Sequence, residues 1–514
     1  MYRIGVDVGG TNTDAVVMAG REILAAVKIP TSADVTQGLM QALREVQAAA
    51  KINPAEVALV VVGTTHFTNA VIQRLHLSPT AAVRLCLPAA QCLLPMVDWP
   101  ADLHAAVGDH SYLASGGVEF DGTPICAFDP AEISRIGADI RARGLKSIAV
   151  TGVFSPVRAD FEREAGRLLS AECPEASITL SSDIGALGLL ERESATILNS
   201  ALLALARRTV AALREGIAQC GLQCPVYLSQ NDGTLLTAEQ AERFPVLTFA
   251  SGPTNSMRGA AFLSGETEAI VIDVGGTTTD VGLLHKGFPR QASTTVDVGG
   301  VRTNFRMPDV FSIGLGGGSL VEEAAPVPRI GPQSVGFELT RRARVFGGDV
   351  LTATDIAVAA GCAALGDASR VRGLDAAFVG RCRDAIDRML EAAVDRSRLS
   401  AAPIPVIAVG GGSILVPQRL AGLDVIRPPH FAVANAIGAA IAQTSGEVDR
   451  IYSLDTLSRE AALADAESEA RRKAAAAGAL ADSMVVTERE DVPLAYLRGN
   501  ATRVRVKVVG DMEF

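Results

Sequence analysis

An eleven-residue motif occurs twice in this chain of 514 residues, as IGVDVGGTNTD at residues 4–14 and as IVIDVGGTTTD at residues 270–280. Eight of the eleven positions are identical, and both copies keep the first Asp, the Gly-Gly pair, two Thr and the final Asp. An ordinary hairpin turn does not require these particular residues, so their repetition in distant parts of the chain indicates an internal duplication. The sequence therefore predicts two units of similar fold, each carrying one copy of the motif.

The residues around each copy predict a β-hairpin. A short apolar run that is rich in β-branched residues enters the Gly-Gly pair, at residues 2–8 and at residues 269–274. Beyond the turn the apolar pattern resumes, as AVVM at residues 15–18 and as VGLL at residues 281–284. Apolar runs bounded by glycine are typical of strands that enter a tight turn.

The turn residues favour the binding of phosphate. Because glycine has no β-carbon, the backbone N–H groups of a Gly-Gly turn can approach an anion closely, and threonine hydroxyls add donors. Asp7 and Asp273 end the first strands, and a carboxylate there suits a hydrated Mg²⁺ or a water rather than phosphate, which it repels. A plain hairpin turn is the alternative for one copy, whereas two copies favour two facing phosphate loops. The predicted phosphate-binding residues are Gly9, Gly10, Thr11 and Thr13 in the first copy, and Gly275, Gly276, Thr277 and Thr279 in the second.

Two further glycine-rich stretches lie in the second half of the chain. IPVIAVGGGSIL, at residues 404–415, is an apolar strand that ends in Gly-Gly-Gly-Ser and is followed by a helical pattern, a layout suited to a flat adenosine. IGLGGGSL, at residues 313–320, predicts another loop close to a ligand or a hinge. Neither the P-loop pattern GxxxxGK[ST] nor the dinucleotide pattern GxGxxG occurs. The predicted adenosine-binding residues are Gly410, Gly411, Gly412 and Ser413.

Alternation of strand and helix patterns predicts an α/β protein with three units. The first unit covers residues 1–190, and the second covers residues 191–445 and opens with a long helix pattern. A small C-terminal extension, residues 446–514, has a helix pattern at about 456–482 and strand patterns at 483–490 and 501–510. The alternating VRVKVV of its last strand predicts an exposed basic face, or else a docking edge for a partner.

Composition excludes several classes of partner. The net charge is -10, and no dense cluster of Lys and Arg is visible, so nucleic acid is not expected as a partner. No apolar run reaches the roughly 18 residues that a membrane span needs, and no charged region precedes the first strand. We therefore expect a cytoplasmic protein without a membrane segment.

The two DxGGTxTD copies and the late GGGS resemble the phosphate and adenosine elements of the acetate and sugar kinase, Hsp70 and actin superfamily. The order of the motifs resembles more specifically the hydantoinase/oxoprolinase family, in its short hydantoinase A-type form. The other matching stretches are GTTHFTNAV (63–71), QNDGT (230–234), FASGPTNS (249–256) and FRMPDVFSIGLGGGSL (305–320). This resemblance implies duplicated ribonuclease H-like domains with a nucleotide cleft between them, and it implies ATP and Mg²⁺ as cofactors.

Proteins of this family use ATP to open a cyclic amide such as a hydantoin or 5-oxoproline, or to carboxylate a ketone. The resemblance therefore implies a hydrolase subunit that opens a cyclic amide of hydantoin, oxoproline or lactam type through a phosphorylated amide. The chain departs from longer members, because SGPTNS replaces the usual SGPAGG and no large third domain follows. We therefore expect a second subunit, of hydantoinase B type or of S-methyl-thiohydantoin desulfurase type, and self-association stays open.

Two further residues are candidates for catalysis. His66, in GTTHFTNAV, either contacts substrate or phosphate or packs locally, and Asp309, in FRMPDVF, is a candidate base or metal ligand. Two other functions stay open: a kinase that phosphorylates a small molecule, and an ATP-gated module that regulates a partner. The sequence does not decide whether a transition metal is also bound.

Overall fold

The structure is a computed structural model, and it describes residues 1–31, 35–185, 187–292, 295–324, 327–398, 403–495 and 500–512. The first part of the chain alternates strands with helices, as predicted. Its strands are β1 (Tyr2–Val8), β2 (Asn12–Ala19), β3 (Glu22–Pro30), β4 (Val57–Thr64), β5 (Thr80–Leu87), β6 (Ser111–Ser115), β7 (Ser147–Gly152) and β8 (Ser177–Leu180). Its helices are α1 (Val35–Ala50), α2 (His66–Gln73), α3 (Ala101–Val107), α4 (Pro130–Ala142) and α5 (Asp160–Glu172), and the long helix α6 (Leu189–Gln219) follows.

The second part repeats this alternation with shorter elements. Its strands are β9 (Val226–Ser229), β10 (Leu235–Thr237), β11 (Ala269–Val274), β12 (Thr279–His285), β13 (Phe288–Pro289), β14 (Val296–Val298), β15 (Val301–Thr303), β16 (Val310–Ile313), β17 (Ser319–Glu322), β18 (Arg329–Ser334), β19 (Val406–Val409), β20 (Arg419–Leu420) and β21 (Leu423–Ile426). Its helices are α7 (Ala238–Arg243), α8 (Ser251–Ser264), α9 (Leu339–Arg342), α10 (Ala353–Ala359), α11 (Ala376–Ser397) and α12 (Ala434–Ala440). The C-terminal elements are β22 (Thr444–Ser453), α13 (Arg459–Ala476), β23 (Val485–Pro493) and β24 (Ala501–Gly510).

Both predicted hairpins are present, and they have the same register. The antiparallel pair β1–β2 sets Asp7 opposite Asp14, and the pair β11–β12 sets Asp273 opposite Asp280. Each first strand also has a parallel neighbour, which is β4 for β1 and β19 for β11. The sheet orders are β10-β9-β4-β1-β2-β3 and β13-β12-β11-β19-β21-β20, with β16 pairing with β12. The predicted α/β class and the internal duplication are confirmed.

The chain returns to the first sheet after α6. Strand β9 pairs in parallel with β4, with Val60 opposite Val226, and β10 then forms the edge of the same sheet. Residues 226–237 thus complete the sheet of the first unit, although the boundary at residue 190 assigned them to the second. The two boundaries, at residues 190 and 445, stay predictions of the domain organisation.

Helix α6 is mostly buried. It is the one helix among the described residues that is long and apolar enough to cross a membrane. Of its most apolar stretch, 67% is buried inside the protein. The sequence expectation had found no apolar run of that length. The core helix of a folded protein can have the same length and apolar composition, and it is mostly buried, as α6 is.

Helices α8 and α12 cross at contact distance between the two hairpin sheets. A β-carbon on Gly259 would stand 1.8 Å from the carbonyl oxygen of Ala434, and one on Gly438 would stand 1.8 Å from that of Asn255. Only glycine permits such an approach of two backbones. The crossing therefore fixes α8, which begins within the FASGPTNS motif, against the end of α12.

The C-terminal extension is a three-stranded antiparallel sheet covered by α13, with the order β22-β24-β23. Strand β24 carries VRVKVV and lies in the middle, so it has no free edge. The side chain of Lys507 is 2% exposed, and its Nζ lies 2.7 Å from Oδ2 of Asp232, in the turn between β9 and β10 of the first sheet. Arg503 pairs with Asp449 of β22. The prediction of an exposed basic face or docking edge on this strand is therefore wrong.

Candidate functional site

A cleft of about 700 Å³ opens where the two hairpin turns meet. Its walls include residues 9–12 of the first turn, residues 275–278 of the second turn and residues 410–412 of the third glycine-rich loop. The three glycine-rich segments come from distant parts of the sequence. The fold thus brings together the elements for which the sequence predicted phosphate and adenosine binding.

The two turns have the same internal geometry and touch each other. The Gly9 N–H donates to the Asn12 carbonyl at 3.0 Å, and the Gly275 N–H donates to the Thr278 carbonyl at 2.9 Å. A β-carbon on Gly276 would lie 2.7 Å from Cγ2 of Thr11, so the second turn packs directly under the first. This contact leaves the backbone of both turns facing the same cleft.

The glycine-rich loop at 316–318 supports the second turn from behind. The N–H groups of Gly317 and Gly318 donate to the carbonyls of Gly275 and Gly276 at 3.0 and 2.7 Å. A β-carbon on Gly316 would stand 2.5 Å from the backbone nitrogen of Thr277. The sequence predicted that this loop lies close to a ligand or a hinge. In the structure the loop supports the second turn and lines the cleft through Gly317.

Asp7 lies beneath the first turn, with 5% of its surface exposed. The Asn435 side-chain amide, from α12, donates to Asp7 Oδ2 at 2.9 Å, and that of Asn255, from α8, donates to Oδ1 at 3.4 Å. Burial and the neighbouring carboxylates of Asp14 and Asp273 raise the pKa of Asp7 to about 6. The carboxylate is therefore held by two amides, and the negative charges around it lower its acidity.

The two carboxylates of the second hairpin each accept a hydrogen bond from a serine. The Ser256 hydroxyl, on α8, donates to Asp273, and the Ser312 hydroxyl, on β16, donates to Asp280. Burial raises the pKa of Asp273, and burial together with the charge of Asp273 raises that of Asp280 to about 7. Like charges directly opposite each other on paired strands are destabilising. The same costly arrangement in both hairpins points to a functional role.

Lys28, on β3, supplies a positive charge to the cleft. Its Nζ lies 2.7 Å from both carboxylate oxygens of Asp14, and it donates to the Ala432 carbonyl at 2.9 Å. A β-carbon on Gly411 would stand 3.3 Å from Lys28 Cε. Burial raises the pKa of Asp14, and the charge of Lys28 opposes that effect. Lys28 therefore links the first hairpin sheet to the 410–412 loop across the cleft.

Several predicted ligand residues do not face the cleft. Thr13 and Thr279 are fully buried, and the Thr279 hydroxyl donates to the Leu315 carbonyl. Ser413 is also fully buried and begins a short 3₁₀ turn in place of the helix that the sequence predicted. These three hydroxyls do not line the cleft, since strand alternation turns Thr13 and Thr279 away from the neighbouring Asp side chains, and their assignment to ligand binding stays a prediction. The predicted ligand residues that do line the cleft are Gly9, Gly10, Thr11, Asp273, Gly275, Gly276, Thr277, Gly410, Gly411 and Gly412.

The two further catalytic candidates lie outside the cleft walls. Asp309 is exposed at the far edge of the second sheet and forms an ion pair with Arg290. The structure thus places Asp309 in a surface ion pair away from the cleft, and its role as a catalytic base or metal ligand stays a prediction. His66 begins α2 and is half-buried, and burial lowers its pKa. Its helix neighbours Thr65 and Asn69 line the cleft instead.

Sequence reasoning missed four side chains of the site. Lys28 lies in an unremarkable strand, but its pairing with Asp14 across β2 and β3 could have been found by pairing the two strands after the first hairpin. Asn255 and Ser256 belong to the TNS of FASGPTNS, a departure that the sequence analysis noted without assigning a role. Asn435 is 428 residues from the carboxylate that it contacts, and no local pattern marks it.

Part of the cleft wall is apolar. Leu339, Phe346, Leu365, Ile414 and Phe431 line it together with the glycine-rich segments. Ligand sites combine such apolar walls with a few well-placed polar groups. A planar ring can therefore lie against these side chains while an anionic group faces the two turns.

The residues beneath the turns fit a hydrated Mg²⁺. Mg²⁺ in nucleotide sites takes one or two carboxylates and fills its other positions with waters and phosphate oxygens. Asp7 and Asp273 are electrostatically coupled and would supply such a pair. In the described part of the chain no group of three His, Cys, Asp or Glu side chains could hold a metal by itself. The donor set thus suits a metal that arrives with a phosphate.

Comparison with known proteins places this geometry in a family. The chain is 25% identical over 464 residues to caprolactamase subunit alpha of Pseudomonas jessenii. The match covers 85% of this chain and 65% of the relative. The solved ATP-dependent caprolactamase from the same organism superposes with a TM-score of 0.78 at 18% identity, covering 100% of this chain and 88% of that chain. A nucleotide-free acetone carboxylase superposes with a TM-score of 0.71 at 16% identity and the same coverage. These likenesses confirm the predicted duplicated ribonuclease H-like fold.

Two family models match the chain. The hydantoinase/oxoprolinase N-terminal region matches residues 3–173, which contain the first hairpin. The hydantoinase/oxoprolinase model matches residues 192–364, which contain the second hairpin and its supporting glycine loop. Because the matches cover about two thirds of the sequence and contain both turns, the chain belongs to the hydantoinase/oxoprolinase family.

Proposed function

We propose that this protein is a subunit of an ATP-dependent hydrolase that opens a cyclic amide of hydantoin, oxoproline or lactam type. The observation that carries the proposal is the contact between Thr11 and Gly276, which sets two equivalent glycine turns against one cleft, each beside its own carboxylate. Each turn would bind one end of a triphosphate. The apolar part of the cleft wall suits the base of a nucleotide.

ATP would solve a specific chemical difficulty. An unstrained cyclic amide resists water because its nitrogen is a poor leaving group and resonance stabilises its carbonyl. Transfer of the γ-phosphoryl group to the amide oxygen gives an imidate phosphate and ADP. Water then adds to the carbon, the C–N bond breaks and the nitrogen takes the two protons of that water, which leaves an acyl phosphate. A second water cleaves the acyl phosphate to the carboxylate and phosphate. Phosphoryl transfer of this kind depends on positioning and on charge neutralisation rather than on covalent help from the protein.

The residues of the cleft have separate roles in this scheme. The backbone N–H groups of residues 10–11 and 276–277 would bind phosphate oxygens. Asp7 and Asp273 would hold a Mg²⁺ that neutralises phosphate charge. Lys28 is the one basic side chain among the described residues that line the cleft, and it would add a second positive charge.

A second polypeptide is part of the proposal. The chain spans 65% of the length of caprolactamase subunit alpha, whose name itself implies further subunits. The described cleft contains no separate Ser-His-Asp arrangement or metal cluster for hydrolysis of the ring. We expect the partner, of hydantoinase B type or of S-methyl-thiohydantoin desulfurase type, to complete the substrate site. A cytoplasmic location stays a prediction.

The test is an assay of the purified chain, alone and together with the product of a neighbouring gene, over a panel of hydantoins, 5-oxoproline and lactams. Ring-opened product, ADP and phosphate in equal amounts would support the proposal. Accumulation of a stable phosphorylated acceptor would overturn it in favour of a kinase. Full coupled activity from the lone chain would contradict the two-subunit part and leave the chemistry standing.

A further inference from the structure

The C-terminal extension reaches the first sheet through a buried ion pair. The side chains of Lys507 and Asp232 are 2% and 1% exposed, and Lys507 Nζ lies 2.7 Å from Asp232 Oδ2. The other carboxylate oxygen of Asp232 accepts from the backbone N–H of Thr234 at 3.0 Å and from its hydroxyl at 2.6 Å. Asp232 and Thr234 belong to the QNDGT turn, which the proposed chemistry does not use. Removing one partner of such a pair leaves a buried charge uncompensated.

The QNDGT turn rests on the start of α8. The Asn231 side-chain carbonyl accepts from the Ala250 N–H at 2.8 Å, and its backbone carbonyl accepts from the Thr254 hydroxyl at 2.9 Å. A β-carbon on Gly233 would stand 3.0 Å from Cγ of Arg258 and 3.1 Å from Cγ2 of Thr254. The QNDGT turn therefore packs closely against the first two helical turns of α8.

The same helix is tied to the extension a second time. The Arg258 guanidinium donates to the Gln443 side-chain carbonyl at 3.1 Å, and the Gln443 amide donates to Asp511 at 2.9 Å. Arg258 also lies over the ring of Phe288 at 3.7 Å, and Lys507 approaches that ring at 5.6 Å. Lys507 and Asp511 are thus linked to Arg258 of α8 through Phe288 and Gln443.

The segment of α8 that these contacts fix carries two partners of the hairpin carboxylates. Asn255 donates to Asp7 and Ser256 donates to Asp273. We propose that Lys507 and Asp232 are positioning residues: their buried ion pair ties the C-terminal extension to the QNDGT turn, which sets α8 and thereby the two cleft carboxylates. The extension then supports the cleft through its central strand, β24, which carries Lys507.

The experiment compares two substitutions on the same strand. Lys507→Met breaks the pair with Asp232, whereas Arg503→Met breaks the pair of Arg503 with Asp449, which lies within the extension. Amide hydrogen exchange of the peptide covering residues 251–264 is measured without nucleotide, so the result does not depend on the proposed function. We expect exchange there to be about 10-fold faster in Lys507→Met and unchanged in Arg503→Met. Equal exchange in both variants and in the unsubstituted protein would overturn the proposal.

A second variant keeps the test decisive if the first fails to fold. Asp232→Asn combined with Lys507→Met removes both charges, and the amide oxygen of Asn still accepts from Thr234. Faster exchange in residues 251–264 is again expected, because the tether is lost. A folded double variant with unaltered exchange there would contradict the positioning role.

The functional readout rests on the proposed use of the cleft for ATP. Lys507→Met should lower kcat/KM for ATP by about 10-fold, and the loss should not add to that of Ser256→Ala, because both act through Asp273. Additive losses would contradict the coupling. If neither the unsubstituted protein nor any variant turns over ATP when assayed together with the partner, but the exchange result holds, the proposed function fails while the structural coupling stands.

Discussion

Thr11 of the first hairpin turn lies against Gly276 of the second, so that a β-carbon on residue 276 would stand 2.7 Å from Cγ2 and 2.8 Å from Oγ1 of Thr11. The equivalent glycine of the first copy, Gly10, has no atom within 4 Å of the same position. The duplicated motif is therefore asymmetric in its packing. Gly276 is required for the contact between the turns, whereas Gly10 faces open space.

This asymmetry predicts different outcomes for two substitutions at equivalent positions. Gly276→Ala should force the turns apart and lower thermal stability by about 1–3 kcal/mol, as overpacking does. Gly10→Ala should change stability by no more than about 0.5 kcal/mol, because nothing is displaced. Thermal unfolding of the nucleotide-free proteins checks both. Adding Thr11→Ala to Gly276→Ala should restore part of the loss, and failure to do so would locate the clash elsewhere.

The pKa of Asp7 predicts how an Asn substitution depends on pH. The pKa in the folded protein is about 6, above the usual value of about 3.9, so the folded state binds the proton more tightly. The resulting stability is present below pH 4 and is lost as the pH rises through 6. At pH 8 the buried charge costs about 3 kcal/mol.

Asp7→Asn should therefore be more stable than the unsubstituted protein at pH 8, by up to about 3 kcal/mol, with the difference shrinking towards pH 4. Asn255 can accommodate the new amide, because its Oδ1 is buried without a hydrogen-bond partner. Turnover should fall by about 1,000-fold. Urea unfolding at pH 4.5, 6 and 8 measures the first effect. Equal stability at all three values would show that Asp7 titrates normally.

The sequence predicted the hairpins because their information is local. Each strand, turn and carboxylate lies within eleven residues, and the repeat identified them together. Strand alternation could also have shown that Thr13, which follows Asn12 and precedes Asp14, points to the opposite face from both. The residues that orient the carboxylates could not be found in this way, since Asn435 reaches Asp7 only when α12 packs on β1.

The C-terminal strands show a related limit. Alternating basic residues in VRVKVV predict an exposed face only if the strand lies at an edge. The sequence did not reveal β22, which pairs with β24 along its length and makes β24 central. The partner of Lys507 is Asp232, in a turn that joins two strands of another sheet. A charge pattern therefore predicts exposure reliably only after the strand order is known.

Lys28→Met is expected to impair the use of ATP strongly, although the Lys28 side chain is partly exposed. The substitution removes a positive charge from the cleft and leaves the buried Asp14 without its ion-pair partner. We expect kcat/KM for ATP to fall by about 100-fold. Lys146→Met, which removes the exposed pair with Glu175, is the matched control and should have no effect. Similar losses in both variants would indicate general destabilisation rather than a role at the phosphates.

Phe346 on the apolar wall should contribute to the binding of the base and not to that of the phosphates. Phe346→Ala removes a ring that lines the cleft, whereas Phe337→Ala removes a ring that is 60% exposed and does not line it. Stacking of a base on an aromatic ring contributes about 1–3 kcal/mol, so the Kd for ATP should rise by about 10-fold in the first variant and stay constant in the second. Calorimetry with tripolyphosphate in place of ATP separates binding of the base from binding of the phosphates, because its affinity should be the same in both variants. A parallel loss of tripolyphosphate binding in Phe346→Ala would mean that the substitution disturbs the glycine turns, and the base would then have to be sought elsewhere.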